Sequence, residues 1–170
     1  FGCGYSGRLG HGNTLSQATP KLVAALQATR AISISAGIAH SLVAEVSGGV
    51  YSFGDGDHGR LGHGDSQNVH TPRLIEALRS VRVVAVSAGG AATSFVLSSD
   101  GQVFSCGYGA YAQLGHVGQT RGRQCIPQRV ALPQGVRTVA VSAGLDHTLV
   151  LADGSVYSVG RGTHGQLGHA

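Results

Sequence analysis

The segment Gly160–His169 reads GRGTHGQLGH, and its closing Leu-Gly-His recurs throughout the chain. The Leu-Gly-His copies stand at 9–11, 61–63, 114–116 and 167–169, with spacings of 52, 53 and 53 residues. Ser-Ala-Gly recurs at 35–37, 87–89 and 142–144, and VYSFG, VFSCG and VYSVG begin at Val50, Val103 and Val156. Landmarks that share one period indicate an internal repeat of 52–55 residues.

Alternating side chains predict the first strand of each repeat. Ile32, Ile34 and Ala36 alternate with Ser33 and Ser35. The same pattern recurs at 84–88 and 139–143. Period two with β-branched residues is typical of a strand with one buried face.

Further strands are predicted in each repeat. A second strand begins at Ser41, Ser94 and Thr148, and a third at Val50, Val103 and Val156. Asp-Gly at 100–101 and 153–154 supplies the tight hairpin between them in two repeats. The apolar runs 21–26, 73–78 and 128–132, each following a Pro, predict a fourth strand. Because Pro cannot donate to a ladder, this fourth strand is expected at a sheet edge.

The predicted fold class is therefore all-β. One repeat forms an antiparallel sheet of about four strands, which cannot bury both faces alone. Stacking against neighbouring copies buries them, and four-stranded sheets stacked in this way are the blades of β-propellers. The 170 residues contain roughly three such repeats, and residues 1–170 are expected to form one partial propeller.

Composition narrows the class of protein. Of the residues, 42% are hydrophobic and 12% are charged, which argues against disorder. No stretch of about 20 apolar residues predicts a membrane-spanning helix, so membrane insertion is not expected. The three Cys match no zinc spacing and indicate reduced thiols in an intracellular protein.

The repeat resembles that of the regulator of chromosome condensation family. That family's repeat follows the pattern G-x-G-x-x-G-Q-L-G-H-G, then Pro, then A-G-x-x-H-S/T, then D-G-x-V-Y-S-W-G. Here GRGTHGQLGH at 160–169, AGIAHS at 36–41 and AGLDHT at 143–148 match it closely. The resemblance implies a β-propeller, usually of seven blades. With three repeats and Phe1 in place of a starting Met, we expect a segment of a longer chain.

Departures from the family pattern are local. The aromatic residue that is often Trp in the family is Phe1, Phe53, Cys106 and Val159 here. The second repeat lacks the His that stands at His40 and His147 in the others. The third Leu-Gly-His is followed by Val117 and by a longer loop, predicted over 118–126.

Motifs that suggest catalysis or cofactors have structural interpretations. GCGYSG, GDGDHG and GRGTHG, at 2–7, 54–59 and 160–165, spell a dinucleotide fingerprint. No apolar-periodic helix follows them, so they predict glycine-rich turns and no cofactor. Repeated His residues lie a blade apart, too far to share a metal, and are expected to hydrogen-bond backbone within turns. We predict no enzyme activity.

Loops on a rigid repeat scaffold are where recognition is expected. The strongest candidates are Arg121, Arg123 and Gln124 in the segment VGQTRGRQC, which suit an acidic partner or a phosphate. A solvated insertion is the alternative. A second set comprises Tyr108, Tyr111, Asp57, His58 and His164, which lie in corresponding loops.

The sequence favours a non-enzymatic protein–protein interaction scaffold within a larger protein or multisubunit complex. The alternative implied by the resemblance is a guanine-nucleotide exchange factor for a Ran-like small GTPase, with chromatin association. Direct nucleic-acid binding is not expected, since the net charge is only +4 and the arginines are spread along the chain. The family's ultraviolet-light sensor implies clustered Trp, and this sequence has none. Cytoplasmic, ciliary and nuclear locations are all open.

Overall fold

The computed structural model describes residues 1–118 and 122–169 and contains eleven strands within them. The strands are β1 Ala31–Ala36, β2 His40–Glu45, β3 Val50–Gly54, β4 Val69–Leu74, β5 Val83–Ala88, β6 Thr93–Ser98, β7 Val103–Tyr108, β8 Arg123–Arg129, β9 Thr138–Ala143, β10 His147–Ala152 and β11 Ser155–Gly160. Short 3₁₀ helices lie at Tyr5–Gly7, Ala24–Leu26, Asp57–Gly59 and Glu76–Leu78. The all-β prediction is confirmed.

The strands form three antiparallel sheets, one for each repeat. Blade 1 has the order β1-β2-β3-β4, blade 2 the order β5-β6-β7-β8, and blade 3 the order β9-β10-β11. Within each blade, every strand therefore pairs with the next strand along the chain. The Asp-Gly turns of blades 2 and 3 connect β6 to β7 and β10 to β11, as predicted.

The core lies between the sheets. Leu42, Ala44 and Val50 of blade 1 pack against Val86 and Val96 of blade 2. A second cluster repeats this arrangement between blades 2 and 3. It contains Phe95, Leu97, Val103, Leu114 and Val130, with Val141 and Ala143 packed against it. Neighbouring sheets thus supply the apolar surface that a single sheet lacks.

Serines of the first strands join the sheets. Ser35 Oγ accepts a hydrogen bond of 3.0 Å from the Ala88 amide, and Ser87 Oγ accepts one of 3.0 Å from the Ala143 amide. The partner amide lies in the next blade in each case. This bond explains the Ser before Ala-Gly in blades 1 and 2, because it satisfies an amide of the neighbouring blade.

The Leu-Gly-His loop is held by the Ser of the third strand. Ser52 Oγ donates to the Leu61 carbonyl at 2.7 Å, and His63 Nε2 lies 2.9 Å from the same Oγ. Blade 2 repeats the arrangement with Ser105, Leu114 and His116. The expectation that these His residues bond to backbone stays a prediction, and in blades 1 and 2 the His ring also contacts the serine hydroxyl that binds the loop carbonyl.

The predicted position of the fourth strand is also wrong. β4 and β8 contain Pro72 and Pro127 and begin before them. The apolar run after Pro72 folds into the 3₁₀ helix Glu76–Leu78, and the run after Pro20 contains the 3₁₀ helix Ala24–Leu26. These turns carry the chain towards the next blade and bury Leu78 between the sheets.

The first strand buries its apolar face only where a sheet precedes it. Val86 in β5 is 8% exposed, whereas Ile34 at the same repeat position in β1 is 75% exposed. β5 packs on β1 and β2, and no strand in residues 1–118 or 122–169 packs on the corresponding face of β1. The alternation therefore predicted the strands correctly, and the predicted burial of the apolar face is found at Val86 of β5 and not at Ile34 of β1.

Candidate functional site

The glycine-rich loops share one face of the sheets. This motif face is where the third strands end, at Gly54, Tyr108 and Gly160, and where the loops between first and second strands lie. The opposite face carries the hairpins between second and third strands, and we call it the hairpin face. Ser94 Oγ donates to the Arg60 carbonyl at 2.6 Å, and Thr148 Oγ1 donates to the Gln113 carbonyl at 3.0 Å. Each glycine-rich loop is thereby fixed to the following blade.

Aromatic rings from two blades meet on the motif face. The ring of His58 in blade 1 lies 4.8 Å from that of Tyr108 in blade 2, centroid to centroid. Tyr108 and Tyr111 meet edge to face at 6.5 Å, and the guanidinium carbon of Arg161 in blade 3 lies 5.1 Å from the Tyr111 centroid. These three rings and the Arg161 guanidinium form a continuous row across three blades, which we call the stripe.

Ion pairs hold Arg161 of the stripe and Arg60 of the glycine-rich loop in blade 1. Arg161 Nη1 lies 3.4 Å from Asp146 Oδ2, and its Nε bonds to Thr163 Oγ1 at 2.9 Å. Arg60 lies beneath the loop, with its Nη2 3.4 Å from Asp55 Oδ1. Burial lowers the pKa of Arg60, and the Asp55 carboxylate acts in the opposite direction. The stripe is thus presented on side chains that are already positioned.

The loop predicted over 118–126 ends earlier in the structure than the sequence indicated. Arg123 and Gln124 lie in β8, so the connection after His116 ends at Gly122. Arg123 is exposed and pairs across the sheet with Tyr108, while Gln124 pairs with Gly107 and donates from Nε2 to the Ile126 carbonyl at 2.8 Å. The structure therefore places Arg123 next to the stripe. Arg121 lies outside the described residues.

The second predicted set is only partly brought together. Tyr108, Tyr111 and His58 are in contact, and Asp57 precedes His58 with its side chain exposed. His164 lies in the corresponding loop of blade 3, where its Nδ1 is 3.0 Å from Thr163 Oγ1. None of the ring contacts in the described residues joins His164 to the stripe.

Sequence reasoning missed an apolar patch and one stripe residue. Ile38 is 64% exposed and Leu145 is 57% exposed, and both side chains approach Gly90. These three residues occupy the same position, after Ala-Gly, in three successive repeats, and we call them the inner patch. That shared position was the available signal. Arg161 was missed because its partner Tyr111 belongs to another repeat.

The described residues show neither a metal-ligating cluster nor a disulfide. No group of three or more His, Cys, Asp or Glu in residues 1–118 and 122–169 could hold a metal ion. Burial raises the pKa of the Cys106 thiol to about 12, which leaves it protonated and unreactive at neutral pH. Cys3, Cys106 and Cys125 are free thiols. None of the helices in these ranges has the length and apolar character needed to cross a membrane.

Known proteins share this repeat. The regulator of chromosome condensation (RCC1) repeat matches residues 1–44, 47–96 and 100–151. The chain is 35% identical to the human E3 ubiquitin-protein ligase HERC2 over 175 residues, covering 99% of this chain and 4% of that protein. It is 36% identical to the Ultraviolet-B receptor UVR8 of Arabidopsis thaliana over 170 residues, covering 99% of this chain and 38% of that protein. The chain therefore spans well under half of these relatives.

Solved structures agree with the fold. Prp20p of Saccharomyces cerevisiae superposes with a TM-score of 0.82 at 27% identity, covering 100% of this chain and 42% of that one. Human WBSCR16 superposes with a TM-score of 0.71 at 23% identity, covering 87% of this chain and 35% of that one, which supports the fold alone. With blades, loops and repeat motifs all in agreement, the chain belongs to the regulator of chromosome condensation repeat family and forms consecutive blades of its β-propeller.

Proposed function

We propose that this chain is a non-enzymatic protein-interaction scaffold, as part of a propeller in a larger protein or assembly, and that it binds its partner through the motif face. One observation carries this proposal: His58, Tyr108, Tyr111 and Arg161 form one stripe although they come from three blades. A surface built across blades exists only when the blades are assembled, as a recognition surface on a scaffold requires.

The residue types of the stripe suit protein recognition. Tyr and Arg are enriched among the residues that dominate binding energy at protein interfaces. Tyr111 remains 42% exposed although it contacts Tyr108 and Arg161. Rings already held by their neighbours lose little conformational freedom on binding, so more of the contact energy appears as affinity.

The non-enzymatic part of the proposal is compatible with the relatives. HERC2 is an E3 ubiquitin-protein ligase, and this chain covers only 4% of it. A role as the recognition segment of such a protein requires no reactive group here. An intracellular location is part of the proposal and accords with the three free thiols.

Affinity capture with matched variants tests the proposal. The chain, the double variant Tyr108→Ala/Tyr111→Ala and the control Arg129→Gln are used as baits under identical conditions. Arg129 lies at the hairpin-face end of β8, opposite Arg123. We expect proteins that are retained by the chain and the control and lost with the double variant, whose folding is verified by thermal unfolding. Equal capture by all three baits would contradict the proposal.

A second candidate function rests on one structural neighbour. The structure of Prp20p was described with its binding to Gsp1p and histones, and that protein superposes over the whole of this chain. Exchange activity on a Ran-like GTPase is therefore the alternative. It is tested by release of fluorescent guanine nucleotide from the GTPase in the presence of the full protein. Acceleration that is lost in Tyr108→Ala would support it, and an unchanged release rate would exclude it.

A further inference from the structure

We propose that the partner of the motif face is an acidic segment with an aliphatic anchor. Its carboxylates pair with Arg123 and Arg161, and its anchor side chain sits on the inner patch of Ile38, Gly90 and Leu145. This inference rests on the proposed function and adds the chemistry of the partner.

The inner patch is a platform for one apolar side chain. A Cβ at Gly90 would lie 2.9 Å from Leu145 Cδ1 and 3.4 Å from Ile38 Cδ1. The two large side chains therefore approach each other over a residue that has no side chain. Each is more than half exposed, although both lie beside well-packed sheets. Covering this apolar surface with an aliphatic group would remove it from water on binding.

The patch and the stripe are continuous. Leu145 is followed by Asp146, whose carboxylate holds Arg161, and Arg161 lies over Tyr111. Tyr111 contacts Tyr108, which pairs across the sheet with Arg123. A single extended segment can therefore touch the inner patch and both arginines. The two arginines flank the two tyrosines.

Charge selects an acidic partner. Within residues 1–118 and 122–169, the Arg123 side chain is exposed and makes no ion pair or hydrogen bond. Arg161 uses Nε and Nη1 on its neighbours, and its Nη2 has no partner in these ranges. Guanidinium groups prefer carboxylates with two parallel hydrogen bonds, which the unpaired Arg123 beside Tyr108 can offer. Basic segments would meet repulsion from both arginines.

Peptide selection on the folded chain tests the inference. A phage library of random 12-residue peptides is panned on the chain, and the enriched peptides are then synthesised with their Asp and Glu intact or replaced by Asn and Gln. Affinities are measured on the chain, on Tyr108→Ala, Arg123→Gln and Leu145→Ala, and on the charge-matched control Arg129→Gln. Thermal unfolding verifies that each variant is folded.

We expect enriched peptides with at least two acidic residues and one Leu, Ile or Val. Their affinity should fall tenfold or more with Arg123→Gln, with Leu145→Ala and with neutralised peptides, and stay unchanged with Arg129→Gln. Basic or uncharged peptides lost with Tyr108→Ala would overturn the acidic partner and leave the motif-face function standing. Peptides that bind Tyr108→Ala as tightly as the chain would contradict both the acidic partner and the motif-face function. The absence of any enriched peptide would do the same.

Discussion

His40 Nε2 lies 2.9 Å from Ser94 Oγ, across the boundary between blades 1 and 2. Ser94 Oγ donates its only proton to the Arg60 carbonyl at 2.6 Å, so His40 Nε2 must donate to the hydroxyl. Three elements, a buried ring, a strand hydroxyl and a loop carbonyl, are thus joined at one point. His40 Nδ1 is buried without a partner in the described residues.

Stability should therefore fall in mild acid. Burial and the nearby Arg60 charge lower the pKa of His40 from 6.5 to about 4, against the smaller opposing effects of a backbone hydrogen bond at Thr93 and of the Asp55 carboxylate. Because the folded pKa lies below the unfolded one, the unfolded chain takes up the proton first as pH falls. The neutral His40 ring contributes its full share of the unfolding free energy above pH 6.5. That contribution, about 3 kcal/mol, is lost as the pH falls from 6.5 to 4.

Urea unfolding of the chain and of His40→Thr across this pH range measures the effect. Thr is chosen because Thr93 occupies the same position in blade 2. The variant should be less stable at neutral pH, since it loses the bond to Ser94, and its stability should depend less on pH. An equally steep pH dependence in both proteins would show that His40 is not the titrating group.

Replacing the first-strand serines by alanine should lower the unfolding free energy only where the serine bonds to the next blade. In Ser35→Ala the Ala88 amide loses the acceptor that now bonds to it at 3.0 Å. The expected loss of unfolding free energy is about 1 kcal/mol, since the partly buried Ala88 amide is left without its acceptor. Ser142 holds the same repeat position in blade 3, where it is exposed and has no partner in the described residues. Ser142→Ala should be neutral, and equal losses in the two variants would contradict the inter-blade bond.

Replacing Ala112 by glycine should stabilise the folded protein. Its φ of 60° lies in the left-handed region, where the other repeats have Gly7, Gly59 and Gly165. Removing the Cβ relieves a cost of about 1 kcal/mol, partly offset by the greater freedom of the unfolded chain. We expect Ala112→Gly to raise the unfolding free energy by about 0.5 kcal/mol, as measured by thermal or urea unfolding.

The reverse substitution is the control. A Cβ at Gly59 would lie 2.5 Å from Cys125 Cα and 2.6 Å from Cys125 Sγ, so Gly59→Ala should destabilise strongly. If Ala112→Gly lowered stability, or Gly59→Ala left it unchanged, the conformation assigned to these loops would be wrong.

The blades were predictable because their signals are local and repeated. Alternation located β1, β5 and β9, and VYSFG with its copies located the third strands, since period and hairpin chemistry act within a few residues. The fourth strand was misplaced because Pro was expected to precede the strand. In the structure Pro72 and Pro127 lie within it at the sheet edge, where a missing donor costs nothing.

The site was less predictable because it is assembled between repeats. The repeat pattern predicts Tyr108, Tyr111 and His58 as candidate recognition residues, but no signal in the sequence indicates that His58 touches Tyr108 across a blade boundary. Arg161 and the inner patch were missed for the same reason. The contact depends on how neighbouring sheets dock, and a single repeat carries no information about that.

Site-specific photocross-linking tests the motif-face interaction most directly. Benzoylphenylalanine replaces Tyr111 on the motif face or Arg137 on the hairpin face, and the full protein is irradiated in its native extract. The account predicts a discrete protein adduct from position 111 that disappears when Tyr108→Ala is added, and no such adduct from position 137. An adduct from position 137 alone, or one at position 111 that survives Tyr108→Ala, would contradict it.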